Sequence, residues 1–398
     1  MMKHYNSSIL QYLNSYFVAA ALLLVSCNDI VDYDEGYTPA ELMANSGAPL
    51  ISAVYDAADT ELTTPITEGN VGQMVIITGE NLNHLQSVKF NTVSCDMLNV
   101  YSCLTRAYVQ IPSTLSMEQQ NKIELTTDQG TATFDFRVPF PPLTVTALAC
   151  EFQNAGDSVT VVGSNFNLYG FDSGLSTVML GTQTLGVGSI TATSMKVAIP
   201  EGTPDNSQLT FTWQTDGTPY SQTLPFRPTD YLLFSDFSGV SINIDGQVQM
   251  AVESDDGIGA QAWLNQKNLH FTGTYNAWAW NTIDLSCNMI DAVGIIENEA
   301  LDNYMLKMEV LTPTNFPLTD QTGLQFCFNW GESYAWNPAN GLGINTRGQW
   351  QTVSLPLAPM ATKGIAAPGK WQTLRIVFQP HSNYEADFRL ANMRIVKK

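Results

Sequence analysis

Basic residues are scarce in this chain. Lys and Arg total 17 against 37 Asp and Glu, a formal net charge of −20 at pH 7. A field of that sign repels nucleic acid and anionic membrane surfaces, and works equally against sulfated or uronic ligands. Neutral partners remain. Histidine is scarcer still, with four residues in 398, and none has the spacing of a zinc set. No G-x-S-x-G is present. The six Cys include no C-x-x-C pair. Apart from Cys27, they are Cys95, Cys103, Cys150, Cys287 and Cys327, too widely spaced for a disulfide framework, and they read as small buried hydrophobes. No stretch sustains a helical period, and the apolar run Tyr16–Val25 is too short to cross a bilayer. No cofactor and no metal set is expected.

What is present is the composition of short strands and turns. The chain is 44% hydrophobic and only 14% charged, with 28 Gly and 19 Pro spread along it. Its length suggests two or three domains, and the pattern predicts an all-β protein.

Residues 1–27 read as a targeting segment whose apolar run suits a signal h-region. It ends in L-L-V-S-C at 23–27, which resembles the bacterial lipobox. That resemblance implies cleavage before Cys27 and lipidation of its thiol and amine, giving stable anchoring in the outer membrane. Residues 28–48 are polar and aperiodic, a tether rather than a folded element. The acidic group Asp29, Asp32, Asp34, Glu35 in it resembles the surface-export signal of Bacteroidota lipoproteins.

An internal repeat follows. V-I-I-T-G-E-N-L (75–82) matches V-T-V-V-G-S-N-F (159–166), V-K-F-N (88–91) matches V-M-L-G (178–181), and V-Q-I-P (109–112) matches V-A-I-P (197–200). The unit is about 90 residues, an Ig-like length. The G-x-N step suits a tight turn, because Gly and Asn tolerate positive φ. The pattern resembles the IPT/TIG subclass of Ig-like domains, with copies at 49–140 and 141–228 and Pro-rich seams at 139–142 and 225–228. Neither copy carries recognisable chemistry. Trp213 reads as packing.

Residues 229–398 open with Y-L-L-F-S-D-F-S-G and close with D-F-R-L-A-N-M-R-I-V, with short alternating segments between. About 170 residues of this kind predict a larger jelly-roll-like β-sandwich. The end strands look like those of carbohydrate-binding modules. Taken together, the lipobox, two IPT/TIG-like repeats and a terminal Trp-rich sandwich resemble the surface glycan-binding lipoproteins of Bacteroidota polysaccharide utilisation systems. The resemblance implies binding of a neutral polysaccharide or oligosaccharide at the cell surface beside a glycan transporter complex, with no nucleic-acid partner.

Seven of the eight Trp lie after position 262. Strand alternation over 270–280 puts Phe271, Gly273 and Tyr275 on a core face. Asn276, Trp278 and Trp280 fall on the polar face, where an indole suits the apolar face of a sugar ring. In 324–330, periodicity puts Trp330 on the core face unless the strand ends before it. Residues 331–338 read as a loop exposing Tyr334 and Trp336, with Glu332 and Asn337 as hydrogen-bonding neighbours. The expected glycan-binding set is therefore Trp278, Trp280, Trp330, Tyr334, Trp336 and Asn276. Trp350 and Trp371 both begin W-Q-T segments and read as packing; Trp263 could pack or bind.

Glycoside hydrolysis needs two carboxylates flanking the bond. Asp255, Asp256, Glu297, Glu299 and Glu332 are the candidates, and none sits in a recognisable hydrolase signature. His270 and His381 stand alone. No catalytic residue is expected. The competing classes are a glycoside hydrolase with a catalytic C-terminal sandwich and a ligand-free adhesin or assembly protein.

Overall fold

The computed structural model describes residues 43–115, 120–215, 217–234, 237–254, 267–288, 298–315, 317–336, 344–365 and 370–398. The signal segment with Cys27, the acidic tether as far as residue 42, Asp255, Asp256, Trp263, Glu297 and Asn337 lie outside the described residues, as does the side chain of Glu299.

Among the described residues the strands pair antiparallel into six sheets, two for each of three sandwiches. The first sandwich has one sheet ordered 50–56, 74–80, 106–110, 101–103 and another ordered 93–94, 87–90, 122–127, 130–135. The second repeats the pattern, with 187–190, 194–198, 158–164, 144–148 in one sheet and 183–184, 177–180, 207–215, 218–226 in the other. The matched sequence pairs therefore fall on equivalent strands. Their shared glycine has a reason other than positive φ. A Cβ on Gly79 would overlap the Leu50 carbonyl oxygen, and one on Gly163 would overlap that of Thr144. In each case the ladder shifts register where the backbones approach. The following Asn does take positive φ, 55° at Asn81 and 63° at Asn165.

The third sandwich packs two five-stranded sheets. One is ordered 241–245, 281–287, 372–378, 324–328, 334–335; the other 249–254, 267–275, 384–397, 304–311, 351–356. Alternate residues of both meet in one core, where Phe271 stacks on Phe388 at 4.6 Å and Phe378 meets Tyr275 and Phe388 edge-on. The opening segment joins the final strand, with Leu233 N–H donating to Met393 O at 2.7 Å.

By contacts the chain forms two compact units, split between Pro139 and Phe140. Within the second, a buried joint links the second and third sandwiches. Cys150, Phe152, Leu232, Leu311, Trp350 and Ala391 form an apolar cluster, so Trp350 is a packing residue. Beside it the fully buried Arg394 donates to Glu151 Oε2 at 2.7 Å and to Glu309 at 2.8 and 3.0 Å. Lys307 pairs with the other oxygen of Glu151 at 2.5 Å. Burial pushes the Glu309 carboxyl up; at Glu151 burial pushes the same way, but Arg394 and Lys307 outweigh it and hold the group low.

Candidate functional site

The five-stranded sheet containing 281–287 and 372–378 has an apolar inner face made by Ile283, Leu285, Leu374, Ile376, Phe378, Phe326 and Phe328. The alternate residues form its outer face. Register places Asp284 directly opposite Arg375 and Ser286 opposite Thr373. Arg375 grips Asp284 through two bonds, Nε to Oδ1 at 2.7 Å and Nη2 to Oδ2 at 2.8 Å. The Asp284 hydrogen bond raises the guanidinium pKa further. Such a bidentate fork fixes orientation as well as charge.

Trp330 lies across this pair. Its Nε1–H donates to Asp284 Oδ2 at 3.2 Å, and the Arg375 Cζ sits 6.0 Å from the ring centroid. The ring is nevertheless 51% exposed. This resolves the two readings left by periodicity. The strand ends at Phe328, and Asn329 and Trp330 both take positive φ, 53° and 52°. The departure is held in place by Asn329. Its Nδ2 donates to Gly364 O and Gln372 Oε1, and its Oδ1 accepts from Thr373 N–H, all at 3.0–3.1 Å. Two successive left-handed non-glycine residues cost about 1–3 kcal/mol each, and such strain gathers at functional sites.

The turn that carries the chain from strand 267–275 of one sheet to strand 281–287 of the other presents two more indoles. The strand read as 270–280 ends at Tyr275 instead, so Trp278 and Trp280 are exposed by a turn rather than by alternation along one strand. Trp280 is 51% exposed and Trp278 is 61% exposed. Trp278 takes φ 62°, donates its N–H to Pro380 O at 2.7 Å, and stacks on His381 at 4.8 Å. Asn276 is exposed in the same turn, its N–H donating to Gln247 Oε1 at 3.1 Å. The turn is tied down by buried Asn281, which donates to Ala279 O and Phe378 O, each at 2.9 Å.

Two expected platform residues are placed differently. Trp336 is only 7% exposed and belongs to the core, its N–H donating to Leu324 O and its ring set against Phe326. Residues 334–335 form a short edge strand rather than an open loop, and that turns Trp336 inward. Tyr334 is half-buried and packs against the same core. Trp371, read as packing, is the opposite case at 62% exposed.

Neither histidine stands alone. His270 lies between Glu253 and Asp387, with both ring nitrogens at 2.9 Å from carboxylate oxygens, on the other sheet of the sandwich. His381 is the stacking partner of Trp278. Glu332 is exposed, with its N–H bonded to Thr362. Among the described residues no group of three or more His, Cys, Asp or Glu could hold a metal ion.

Comparison with known proteins bears on both sandwiches of the second unit. Residues 230–397 match the family model "Surface glycan-binding protein B xyloglucan binding domain", and residues 144–227 match the IPT/TIG domain. A curated relative from Bacteroides ovatus, an IPT/TIG domain-containing protein, is 26% identical over 124 residues; the alignment spans 30% of this chain and 25% of that relative. The crystal structure of the surface glycan-binding protein PbSGBP-B from Prevotella bryantii is similar with a TM-score of 0.52 at 16% identity, covering 89% of this chain and 99% of that one. At that identity the likeness is one of fold. An SGBP-B from a complex xyloglucan utilization locus in Bacteroides uniformis gives a TM-score of 0.49 at 19% identity, over 88% of this chain and 100% of that one. The second unit thus combines an IPT/TIG domain with a C-terminal domain of the surface glycan-binding protein B type.

Proposed function

We propose that this chain is a non-catalytic surface protein that binds a neutral polysaccharide on the outer face of the 281–287 sheet. The observation that carries the reading is the set of exposed indoles, Trp278, Trp280 and Trp330, the last of them lying on an internally neutralised Asp284–Arg375 pair. Indoles left half or more in water are costly to expose, and a flat apolar ring beside fixed polar groups suits a sugar. The match to a xyloglucan-binding domain model supports a glycan as the ligand class. Asn276 supplies an amide beside Trp278 for hydroxyl groups. Trp336 and Tyr334 support the platform from the core.

The formal charge of −20 favours an uncharged glycan. Asp284, the buried carboxylate on this face, is engaged by Arg375 and Trp330 and so is poorly placed for the acid–base work of hydrolysis. In this proposal Cys27 carries the lipid that holds the protein in the outer membrane, residues 28–48 act as tether, and residues 229–398 hold the glycan for a neighbouring transporter complex.

The test is to incubate the purified chain from residue 28 with a panel of neutral and acidic polysaccharides that includes xyloglucan. Retention of a neutral member without new reducing ends is expected. Release of reducing ends, or preference for an acidic glycan, would sink the reading.

A further inference from the structure

The strand pair 281–287 and 372–378 is in register along its whole length, from Asn281 opposite Phe378 to Cys287 opposite Gln372. Trp280 stands one residue beyond the first pair. Trp371 stands one residue beyond the last. Alternation through Asp284 and Thr282 puts Trp280 on the outer face, and alternation through Arg375 and Thr373 puts Trp371 there too. Trp330 reaches Asp284, the middle residue of the seven-residue strand. Three exposed indoles thus mark the two ends and the centre of one line parallel to the strands. At a strand rise of about 3.4 Å per residue the line is about 27 Å long.

The floor between them is closed. Thr282, Asp284, Thr373 and Val377 are buried, and Ser286 and Thr373 bond each other at 2.8 Å. Along this strand pair the parts of the face that reach solvent are chiefly the rings and part of Arg375, and the edge strand 241–245 adds exposed Ser241, Asn243 and Asp245 beside them. Trp371 has no packing reason for its position: it is 62% exposed and belongs to none of the core clusters. A compact ligand would need one or two of these platforms. A line of three at this spacing suits an extended chain of several sugar rings lying along the strands.

We infer that Trp371 is a third stacking platform, and that the face selects for the length of an extended neutral glycan. The inference rests on the binding reading above and goes beyond it in naming a residue and a length dependence. Chains that reach only from Trp280 to Trp330 do not engage Trp371, whereas longer ones do. Affinity therefore rises with chain length until the ligand spans the whole line.

The test measures binding of the wild type, Trp371→Ala and Trp330→Ala to xyloglucan and to xyloglucan oligosaccharides of one, two and three repeating units, with melting temperature as a check of fold. Trp371→Ala is expected to keep the melting temperature, to bind the shortest oligosaccharide as the wild type does, and to bind the polysaccharide about tenfold more weakly, a loss in the range of an aromatic anchor. Trp330→Ala is expected to lose affinity at every length. If Trp371→Ala matches the wild type at every length while Trp330→Ala does not, the third platform is wrong and the binding face stands. If Trp330→Ala also matches the wild type, or the wild type binds neither xyloglucan nor any other neutral member of the panel, the binding reading itself falls and takes this inference with it.

Discussion

Trp278 and Trp336 are separable by experiment, although both are candidate platform residues by sequence. Trp336→Ala should cost about 3–5 kcal/mol of stability, because its ring is buried against Phe326. Trp278→Ala should leave the melting temperature nearly unchanged and weaken glycan binding, since its ring is 61% exposed and stacks on His381 at the surface. Thermal unfolding together with Trp-quench titration decides; a stable Trp336→Ala variant would contradict the burial of that ring. These residues also show where single-sequence reading stops. Alternation correctly assigns Phe271 and Tyr275 to the core, because both lie inside a regular strand. It leaves two readings for Trp330, and the reading of Trp336 as an open-loop residue and of Trp371 as packing both miss, because each sits at or just past a strand end. There, exposure depends on backbone turns and edge pairing that residue type does not encode.

At the level of the element, the strand end at Phe328 is the feature that exposes Trp330. Its control lies in Asn329, which accepts one backbone hydrogen bond and donates two while holding φ 53°. Asn329→Gly retains the left-handed conformation but loses the three side-chain bonds. Net hydrogen bonds are worth about 0.5–1.5 kcal/mol each, so a modest fall in stability is expected, with a larger fall in glycan affinity as the indole loses its fixed position over Asp284. Equal binding by this variant would show that Trp330 is held by its own ring contacts instead. The repeat glycines are the counterpart: their motif is legible in the sequence, but its cause is not. Gly79 and Gly163 are needed for close backbone approach, a long-range fact, whereas the positive φ of Asn81 and Asn165 is local and readable from the residue type.

On the scale of the whole molecule, the joint inside the second unit changes how the chain should be divided. Glu151 and Arg394 are 243 residues apart in sequence, and nothing in either segment announces the other. Residues 229–398 expressed alone would lose Glu151 and Phe152 and expose Arg394, so this fragment should unfold at lower urea than 140–398. Removing one partner of a buried pair costs about 3–5 kcal/mol, which sets the size expected for Glu151→Ala. Because the Glu151 carboxyl is held low, its contribution is complete above the usual glutamate value of 4.5 and fades as the pH falls below it. Glu309 has the opposite sign: burial raises it, so its protonation in acid relieves a penalty. The difference in urea midpoint between wild type and Glu151→Gln should therefore shrink on acidification; a constant difference would mean that Glu151 keeps its charge throughout. A different consequence follows from the Asp284–Arg375 fork. It cancels its own charge, so the polar pair under Trp330 adds little field of its own to a chain whose net charge is −20. Ions in solution then have little to screen. Glycan affinity should be nearly the same in dilute buffer and in concentrated salt, and the protein would keep its hold on an uncharged polysaccharide across media of very different ionic strength.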